Sequence, residues 1–234
     1  RSPLQAIGVD VTEGDYILEV NGESTKGVKD LNELLVGKAN NKVELTVNDQ
    51  PGMNGSHKEI VEPRADVSDL VYYNWVQNNI KTVNEQTDGQ VGYIHIPDMI
   101  THGLNEFVEH FYPQLDKKAL IIDVRGNGGG NVSPMIIERL RREITRANMR
   151  RNVSEPSQTP SQMMRGPMVC LINKYSASDG DLFPYSFKKH DLGPLIGTRT
   201  WGGVVGITGS LPFIDGASLR IPQFASYSAD ESEW

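Results

Sequence analysis

The chain has 234 residues, a formal net charge of −7 and a pI near 5.3, so it lacks the basic surface that broad nucleic-acid binding requires. No run of about 18 apolar residues is present, and the first residues do not form a signal segment, so the sequence predicts no membrane span. A mean hydropathy of −0.41 is typical of a soluble protein, cytoplasmic or periplasmic. Two domains are expected at this length.

The first 64 residues predict a small β-rich module. An apolar run, Tyr16–Val20, lies between two turn signals, and "NKVELTVNDQPGMNGSHKEIVEP" reads as two strands around a polar turn. Between them, "GVKDLNELLVG" predicts a short helix with Val28, Leu31, Leu34 and Leu35 on one face.

The stretch "SPLQAIGVDVTEGDYILEVNG" resembles the PDZ domains built into processing proteases. PDZ domains bind peptide C-termini along a strand edge, beside a glycine-rich loop that holds the terminal carboxylate. That loop would precede Arg1. The resemblance therefore implies a PDZ-like domain over residues 1–64, incomplete at its N-terminus.

A linking helix is expected next, within residues 65–90. Ser68 or Asp69 can begin it and Gly89 can end it, with apolar residues at Val71, Tyr72, Trp75, Val76, Ile80 and Val83. From residue 91 onward, apolar strands alternate with amphipathic helices. This order predicts an α/β domain with a largely buried sheet over residues 91–234.

Three features of this second domain are explained by structure alone, without a functional role. Residues 152–167, "NVSEPSQTPSQMMRGP", predict an exposed loop suited to a flap. The arginines on and after the "SPMIIERLRREIT" helix read as its solvated face, and Cys170 reads as a small buried hydrophobe. One cysteine and scattered histidines give no spacing for a metal site, and no cofactor is expected.

Ser178, in "YSASDGD", allows two interpretations. A serine before "DGDLFPYSFKK" is a suitable helix cap, and Asp179 and Asp181 complement the helix dipole. The same position at a strand-to-helix turn can expose a nucleophilic hydroxyl, with the next amide aimed at a developing oxyanion. Both interpretations can hold together.

A glycine-rich loop, "IIDVRGNGGGNVSP", also follows a strand and precedes a helix. Glycines let backbone amides approach a ligand closely, as an oxyanion hole or a phosphate cradle requires. The phosphate interpretation is weak, because "GNGGGN" fails the dinucleotide fingerprint and lacks the Lys-Ser/Thr of a P-loop.

In this order, "DVRGNGGG", "SASDGD" and "IGTRTWGG" resemble the core of the C-terminal processing and tricorn proteases, a serine peptidase family. The resemblance implies a crotonase/ClpP-like fold and a homo-oligomer that acts on peptides or unfolded proteins. It also implies that Ser178 is the nucleophile and that the Asp179 amide is one oxyanion donor. Gly128 or Gly129 would provide the other donor, while Asp123 and Arg125 would hold the loop.

The resemblance also bears on the catalytic base. The C-terminal processing branch uses a lysine, but the matching segment here, "TRTWGGVVG", has Gly203 at that position. The tricorn branch uses a histidine from a domain upstream of its PDZ module, which would lie before Arg1. It also uses a glutamate near the end of the core, for which Glu231 and Glu233 are weak candidates.

The five histidines of the chain are poorer candidates for the base. His57 lies in a polar turn, His190 at a helix end and His110 on an amphipathic helix. His95 and His102 are better placed than these three, because strand ends and the loops that follow them line such clefts. His95, however, alternates with apolar residues, as a strand histidine with satisfied hydrogen bonds would.

The resemblance thus implies a tricorn-type serine endopeptidase whose catalytic histidine lies outside the chain. On this interpretation residues 1–234 alone are inactive. Two alternatives remain open: a catalytically silent, PDZ-type peptide-binding module in which Ser178 only caps a helix, and an acyl-CoA or phosphate-ligand enzyme that uses the glycine-rich loop.

Overall fold

A computed structural model describes residues 2–207 and 209–229. The chain divides into two compact units, Arg1–Trp75 and Val76–Trp234. In the described ranges, no helix is long and apolar enough to cross a membrane.

The first unit contains an antiparallel sheet in the order β2-β1-β3-β4. Its strands are β1 (Tyr16–Val20), β2 (Glu23–Ser24), β3 (Val43–Asn48) and β4 (His57–Val61). The predicted strands are confirmed, and the predicted short helix is a 3₁₀ helix, Leu31–Leu35, begun by the Asp30 carboxylate, which accepts the Asn32 N–H at 2.9 Å. The core is apolar and consists of Val20, Leu34, Val43, Leu45, Val47 and Val61.

A helix, α1 (Ser68–Gln86), lies where the linking helix is expected. It ends where Asp88 and Gly89 take positive φ angles and the Gly89 N–H donates to the Asn84 carbonyl at 2.8 Å. Of its apolar residues only Val76 is buried, whereas Val71 and Trp75 are exposed.

The second unit is built on a parallel sheet in the order β10-β9-β6-β5, which confirms the predicted α/β fold. Its elements in chain order are β5 (Val91–His95), α2 (Thr101–Phe111), β6 (Ala119–Asp123), α3 (Ser133–Leu140), β7 (Arg146–Asn148), β8 (Ser157–Thr159), β9 (Met168–Ile172), α4 (Asp179–Lys189) and β10 (Leu195–Gly197). The sheet and helices enclose an apolar core.

Aromatic and branched side chains fill this core because strands and helices alternate their apolar faces inward. Phe107 and Phe111 stack with ring centroids 4.7 Å apart, and Phe183 and Phe187 are fully buried. Cys170 is fully buried as well, and burial raises the pKa of its thiol. The prediction that Cys170 is a small buried hydrophobe is confirmed.

The predicted exposed loop at residues 152–167 is only partly correct. β8 lies inside it and pairs antiparallel with β7, and Met163 and Met164 are buried. The sequence does not reveal this pairing, because β7 and β8 are each only three residues long and β8 lies in a polar, proline-containing stretch. Of the arginines predicted on or after the helix, only Arg139 lies on α3, which ends at Leu140.

Beyond β10 the chain forms two small antiparallel pairs that the sequence did not predict. β11 (Val205–Gly206) pairs with β14 (Phe224–Ala225), and β12 (Ser210–Pro212) pairs with β13 (Ser218–Arg220). Strands of two or three residues are too short to show the alternation that identifies a strand.

The core predicts a large effect for Phe111→Ala. Removing a fully buried phenyl ring leaves a cavity and should lower the free energy of unfolding of this unit by about 3–5 kcal/mol. Val108→Ala on the same helix is the control, since Val108 is 47% exposed and should change stability by no more than about 0.5 kcal/mol. The free energies of unfolding of both variants are measured by urea titration, with hydrogen exchange in β5 and β6 as the signal. Equal losses of stability in the two variants would contradict the assignment of Phe111 to the core.

Candidate active site

The glycine-rich loop and the Ser178 turn lie at the same edge of the parallel sheet. His95 of β5 pairs with Asp123 of β6, and Asp123 pairs with Leu171 of β9. The loops that follow these three strands therefore meet at their carboxyl ends, where ligand sites of open α/β sheets form.

Ser178 has an uncommon backbone conformation, with φ 58° and ψ −120°. A helix-capping serine has an extended backbone and accepts an amide from the first turn, but the Ser178 side chain makes no such bond. Ser178 is therefore the N-cap residue of α4 by position, but its side chain does not cap the helix. Its exposed hydroxyl stands at a sharp strand-to-helix turn, the geometry of a nucleophile elbow.

Gly129 packs directly against this turn. A Cβ added to Gly129 would lie 2.7 Å from the Ser178 Cβ and 3.1 Å from the Asp179 amide nitrogen, so no side chain fits there. Gly129 also has φ 85°, which favours glycine. The structure thus brings together three of the predicted residues, Ser178, Asp179 and Gly129.

The predicted oxyanion donors differ in what their amides do. The Gly128 N–H donates to the Pro97 carbonyl at 3.1 Å, and the Gly129 N–H donates to Asn127 Oδ1 at 2.9 Å. The Asp179 N–H is different: it lies at the start of α4, and it has no partner within residues 2–207 and 209–229. An unpaired N–H at a helix start is available to an anion.

Gly130 provides a further unpaired amide. Met99 bridges to Gly130 in parallel fashion, with the Met99 N–H on the Gly129 carbonyl and the Asn131 N–H on the Met99 carbonyl, both at 2.7 Å. In a parallel bridge, the residue whose two neighbours make the hydrogen bonds has its own N–H pointing away from the partner strand. The Gly130 N–H therefore points away from Met99, and it has no partner in the described part of the chain. Sequence reasoning did not single out this glycine.

Asn127, which the sequence did not single out either, joins the loops that form the site. It is fully buried, its Nδ2 donates to the Ile96 carbonyl at 2.8 Å, and its Oδ1 accepts the Gly129 N–H. Its carbonyl accepts the Ala177 N–H at 2.9 Å, next to Ser178. Nothing in "RGNGGG" distinguishes a buried asparagine from a turn asparagine, because both occur between glycines.

The carboxylate of Asp179 connects α4 to α3. It accepts the Ser133 N–H at 3.0 Å and the Ser133 hydroxyl, and both residues are buried. Asp179 therefore does more than complement the dipole of its own helix, because its side chain binds the first residue of α3 and fixes the direction in which its amide points.

Asp181 connects α4 to the "TWGG" turn. Its two carboxylate oxygens accept the Gly202 N–H at 2.7 Å and the Gly203 N–H at 3.1 Å. A Cβ on Gly203 would lie only 2.0 Å from Cζ3 of Trp201. The ring thus occupies the space that a side chain at position 203 would need, so any other residue there requires the ring to move.

Asp123 and Arg125 hold the loop, as predicted. Asp123 is fully buried and accepts the Tyr93 hydroxyl at 2.7 Å and the Arg125 amide at 3.0 Å, and the Arg125 guanidinium binds the same carboxylate at 2.5 Å. The hydrogen bond to Asp123 raises the pKa of Arg125, and burial raises the pKa of Tyr93.

Four of the five histidines contact groups other than Ser178. His95 Nε2 donates to the Arg125 carbonyl at 3.1 Å, as expected of a satisfied strand histidine, and His102 pairs with Asp98 at 3.1 Å. His110 lies 3.5 Å from Glu106, while His57 and His190 are exposed. Where the structure describes the chain, the Ser178 hydroxyl has no hydrogen bond to a histidine. The weak candidates Glu231 and Glu233 lie outside the described residues.

The burial of His95 predicts a dependence of stability on pH. Burial lowers the pKa of His95 below its ordinary value of 6.5, so the unfolded chain binds this proton more readily than the folded one. The stability that neutral His95 contributes is present above pH 6.5 and is lost as the pH falls through the lowered pKa.

The test compares the His95→Gln variant with wild type at about pH 7.5 and about pH 5.5 by urea unfolding. The variant should lose less stability between these two pH values than the wild type does. Val108→Ala, at an exposed residue of α2 that does not titrate, is the control and should keep the wild-type dependence. An unchanged dependence in His95→Gln would contradict the lowered pKa.

Comparison with known proteins agrees with this geometry. Residues 90–233 match the family model "Peptidase family S41", and residues 1–66 match "Tricorn protease PDZ domain". The tricorn protease of Thermoplasma volcanium is 42% identical over 96% of the chain, and that of Thermoplasma acidophilum is 40% identical over 98%. The chain spans 22% and 21% of these relatives, about a fifth of their length.

A solved structure supports the same relationship. A crystal structure of the tricorn protease superposes with a TM-score of 0.87 and 39% sequence identity, covering 97% of this chain and 22% of the solved one. The tail-specific protease of Haemophilus influenzae is more distant, at 29% identity over 93% of the chain. Because the family model covers more than half of its residues, the chain belongs to peptidase family S41, with a tricorn-type PDZ domain before the catalytic core.

Proposed function

We propose that the chain is part of a serine endopeptidase of the tricorn type, with Ser178 as its nucleophile. The observation that carries the proposal is the Ser178 turn, where an exposed hydroxyl is held in a strained conformation at φ 58° against a glycine that admits no side chain. Backbone strain of this kind costs about 1–3 kcal/mol and persists at sites where it serves function.

The reaction is acyl transfer. The Ser178 oxygen attacks the peptide carbonyl, its proton passes to a base, and the carbonyl oxygen becomes an oxyanion. The base then protonates the leaving amine, and water hydrolyses the acyl-enzyme by the same steps.

The Asp179 N–H is the first oxyanion donor in this proposal. Its position is fixed because the Asp179 carboxylate is bound to Ser133. The second donor comes from the glycine-rich loop. Gly128 and Gly129 can serve only by exchanging their present hydrogen bonds, so we assign this role to Gly130, whose N–H is unpaired within residues 2–207 and 209–229.

The base is a histidine from a segment outside residues 1–234. Within the described residues no histidine is hydrogen-bonded to Ser178, and position 203, where the lysine branch has its base, is a glycine. This assignment agrees with the relatives, of which the chain spans only about a fifth.

The substrate in this proposal is a peptide or an unfolded protein, and the enzyme is a homo-oligomer. The relatives named tricorn protease and tail-specific protease support the peptide substrate, while the homo-oligomer rests on the family resemblance alone. An anion cradle for phosphate or coenzyme A is less favoured, because the Gly128 and Gly129 amides already bind protein acceptors. No cofactor enters the mechanism.

The proposal predicts that a fluorophosphonate labels Ser178 in the full-length protein. An activated serine attacks the phosphorus, and the site of labelling is read by peptide mass spectrometry. Ser178→Ala should abolish labelling, whereas Ser154→Ala, at an exposed serine of the second unit, should leave it unchanged.

If the full-length wild-type protein takes no label, the peptidase proposal is lost and the silent peptide-binding alternative gains support. If label is found equally in the Ser178→Ala variant, a different serine is the nucleophile.

The external base predicts a second result. Residues 1–234 alone should hydrolyse peptides at least about 10²-fold more slowly than the full-length protein, since a positioned general base contributes about 10²–10⁴-fold. Initial rates with a fluorogenic peptide measure this difference. Rapid turnover by residues 1–234 that disappears in His95→Ala or His102→Ala would instead place the base within the chain.

A further inference from the structure

Trp201 is a large apolar side chain whose backbone lies close to the Ser178 turn, and the proposed mechanism gives it no role. It is 69% exposed, although a tryptophan side chain buries more apolar area than any other residue when it packs inside a protein. Exposure alone would mean little. The backbone on both sides of Trp201, however, is anchored to the Ser178 turn.

The first anchor is at the tryptophan itself. The Trp201 N–H donates to the Ser176 carbonyl at 2.9 Å, two residues before the nucleophile. Ser176 is fully buried, and its hydroxyl donates to the Val124 carbonyl at 2.8 Å at the end of β6. Trp201 is therefore attached to a rigid part of the site.

The second anchor is the Asp181 carboxylate, which accepts the amides of Gly202 and Gly203. Asp181 is 7% exposed and lies in the first turn of α4, where its own N–H donates to the Ser178 carbonyl at 2.8 Å. Charge-assisted bonds to two successive amides fix the direction of the turn. The turn and the nucleophile thus form one unit.

The third observation is the position of the ring. It lies over Gly203, at 2.0 and 2.1 Å from where a Cβ of that residue would stand. The ring can take this position only because residue 203 has no side chain, while most of the tryptophan surface remains accessible. An accessible aromatic face carried on backbone that is bonded to the Ser178 turn is suited to bind an apolar side chain.

We propose that Trp201 is a specificity-determining residue whose ring, placed over Gly203 and oriented through Asp181, binds an apolar or aromatic side chain of the peptide close to the scissile bond. The substrate class rests on the peptidase function proposed above. The subsite itself rests on the geometry of residues 176–203.

The test measures binding without hydrolysis, in the full-length protein that carries Ser178→Ala. The probes are two fluorescein-labelled octapeptides, AAAFAAAA and AAADAAAA, and binding is followed by fluorescence anisotropy. The Phe peptide should bind more tightly than the Asp peptide. Trp201→Ala should weaken binding of the Phe peptide about tenfold and leave the Asp peptide unchanged, whereas Trp201→Phe should retain most of the preference.

Gly203→Ala tests whether the position of the Trp201 ring matters, because the ring itself is kept. An added methyl group displaces the ring without removing it, so this variant should also weaken binding of the Phe peptide. The double variant Trp201→Ala/Gly203→Ala should lose no more than Trp201→Ala alone, because both changes act on one contact. Gly209→Ala is the matched control, since nothing lies within 4 Å of its Cβ.

Two results would overturn the subsite: no preference for the Phe peptide in the Ser178→Ala protein, or an unchanged preference after Trp201→Ala. A failure of the subsite and a failure of the proposed function are distinguished by fluorophosphonate labelling of the Trp201→Ala protein with Ser178 intact. Labelling that persists while the preference disappears supports the subsite. Loss of the preference without any labelling of wild type supports the subsite but not hydrolysis.

Discussion

The active-site edge depends on the side chain and carbonyl of one buried residue, Asn127. Through three hydrogen bonds it connects the end of β5, the glycine-rich loop and the residue before Ser178. An amide can do this because it donates from one atom and accepts at another, which neither a carboxylate nor an aliphatic side chain can do. Since leaving a buried partner unsatisfied costs about 1–3 kcal/mol, the three segments keep a fixed spacing.

The strained Ser178 turn is held by the two acidic residues that follow it. Asp179 binds the start of α3 and Asp181 binds the turn at Gly202 and Gly203, so the first turn of α4 is fixed from two sides. A backbone conformation that is unfavourable by itself is maintained when its surroundings determine it from several directions. The same contacts leave the Asp179 amide unpaired within the described residues and accessible to a ligand.

The sequence predicts the α/β fold and two loops that each follow a strand and precede a helix, because strand and helix periodicities and glycine runs are local signals. It cannot predict what depends on side-chain direction. "YSASDGD" looks the same whether Ser178 caps a helix or faces outward, and the difference appears only in its φ and ψ angles. The roles of Asn127 and Gly130, the burial of Met163 and Met164, and the short strands after β10 likewise depend on contacts distant in sequence.

Gly203 shows how the residue type at one position depends on a neighbouring side chain. Its missing side chain is visible in the sequence, but its contact with the Trp201 ring is not, since the ring lies where the Cβ of another residue would stand. The Asp181 carboxylate holds the Gly202 and Gly203 amides, so a larger residue at position 203 would be accommodated by movement of the exposed ring rather than of the backbone. Positions 201 and 203 are thus sterically coupled, and the side chain that one can carry depends on where the other lies.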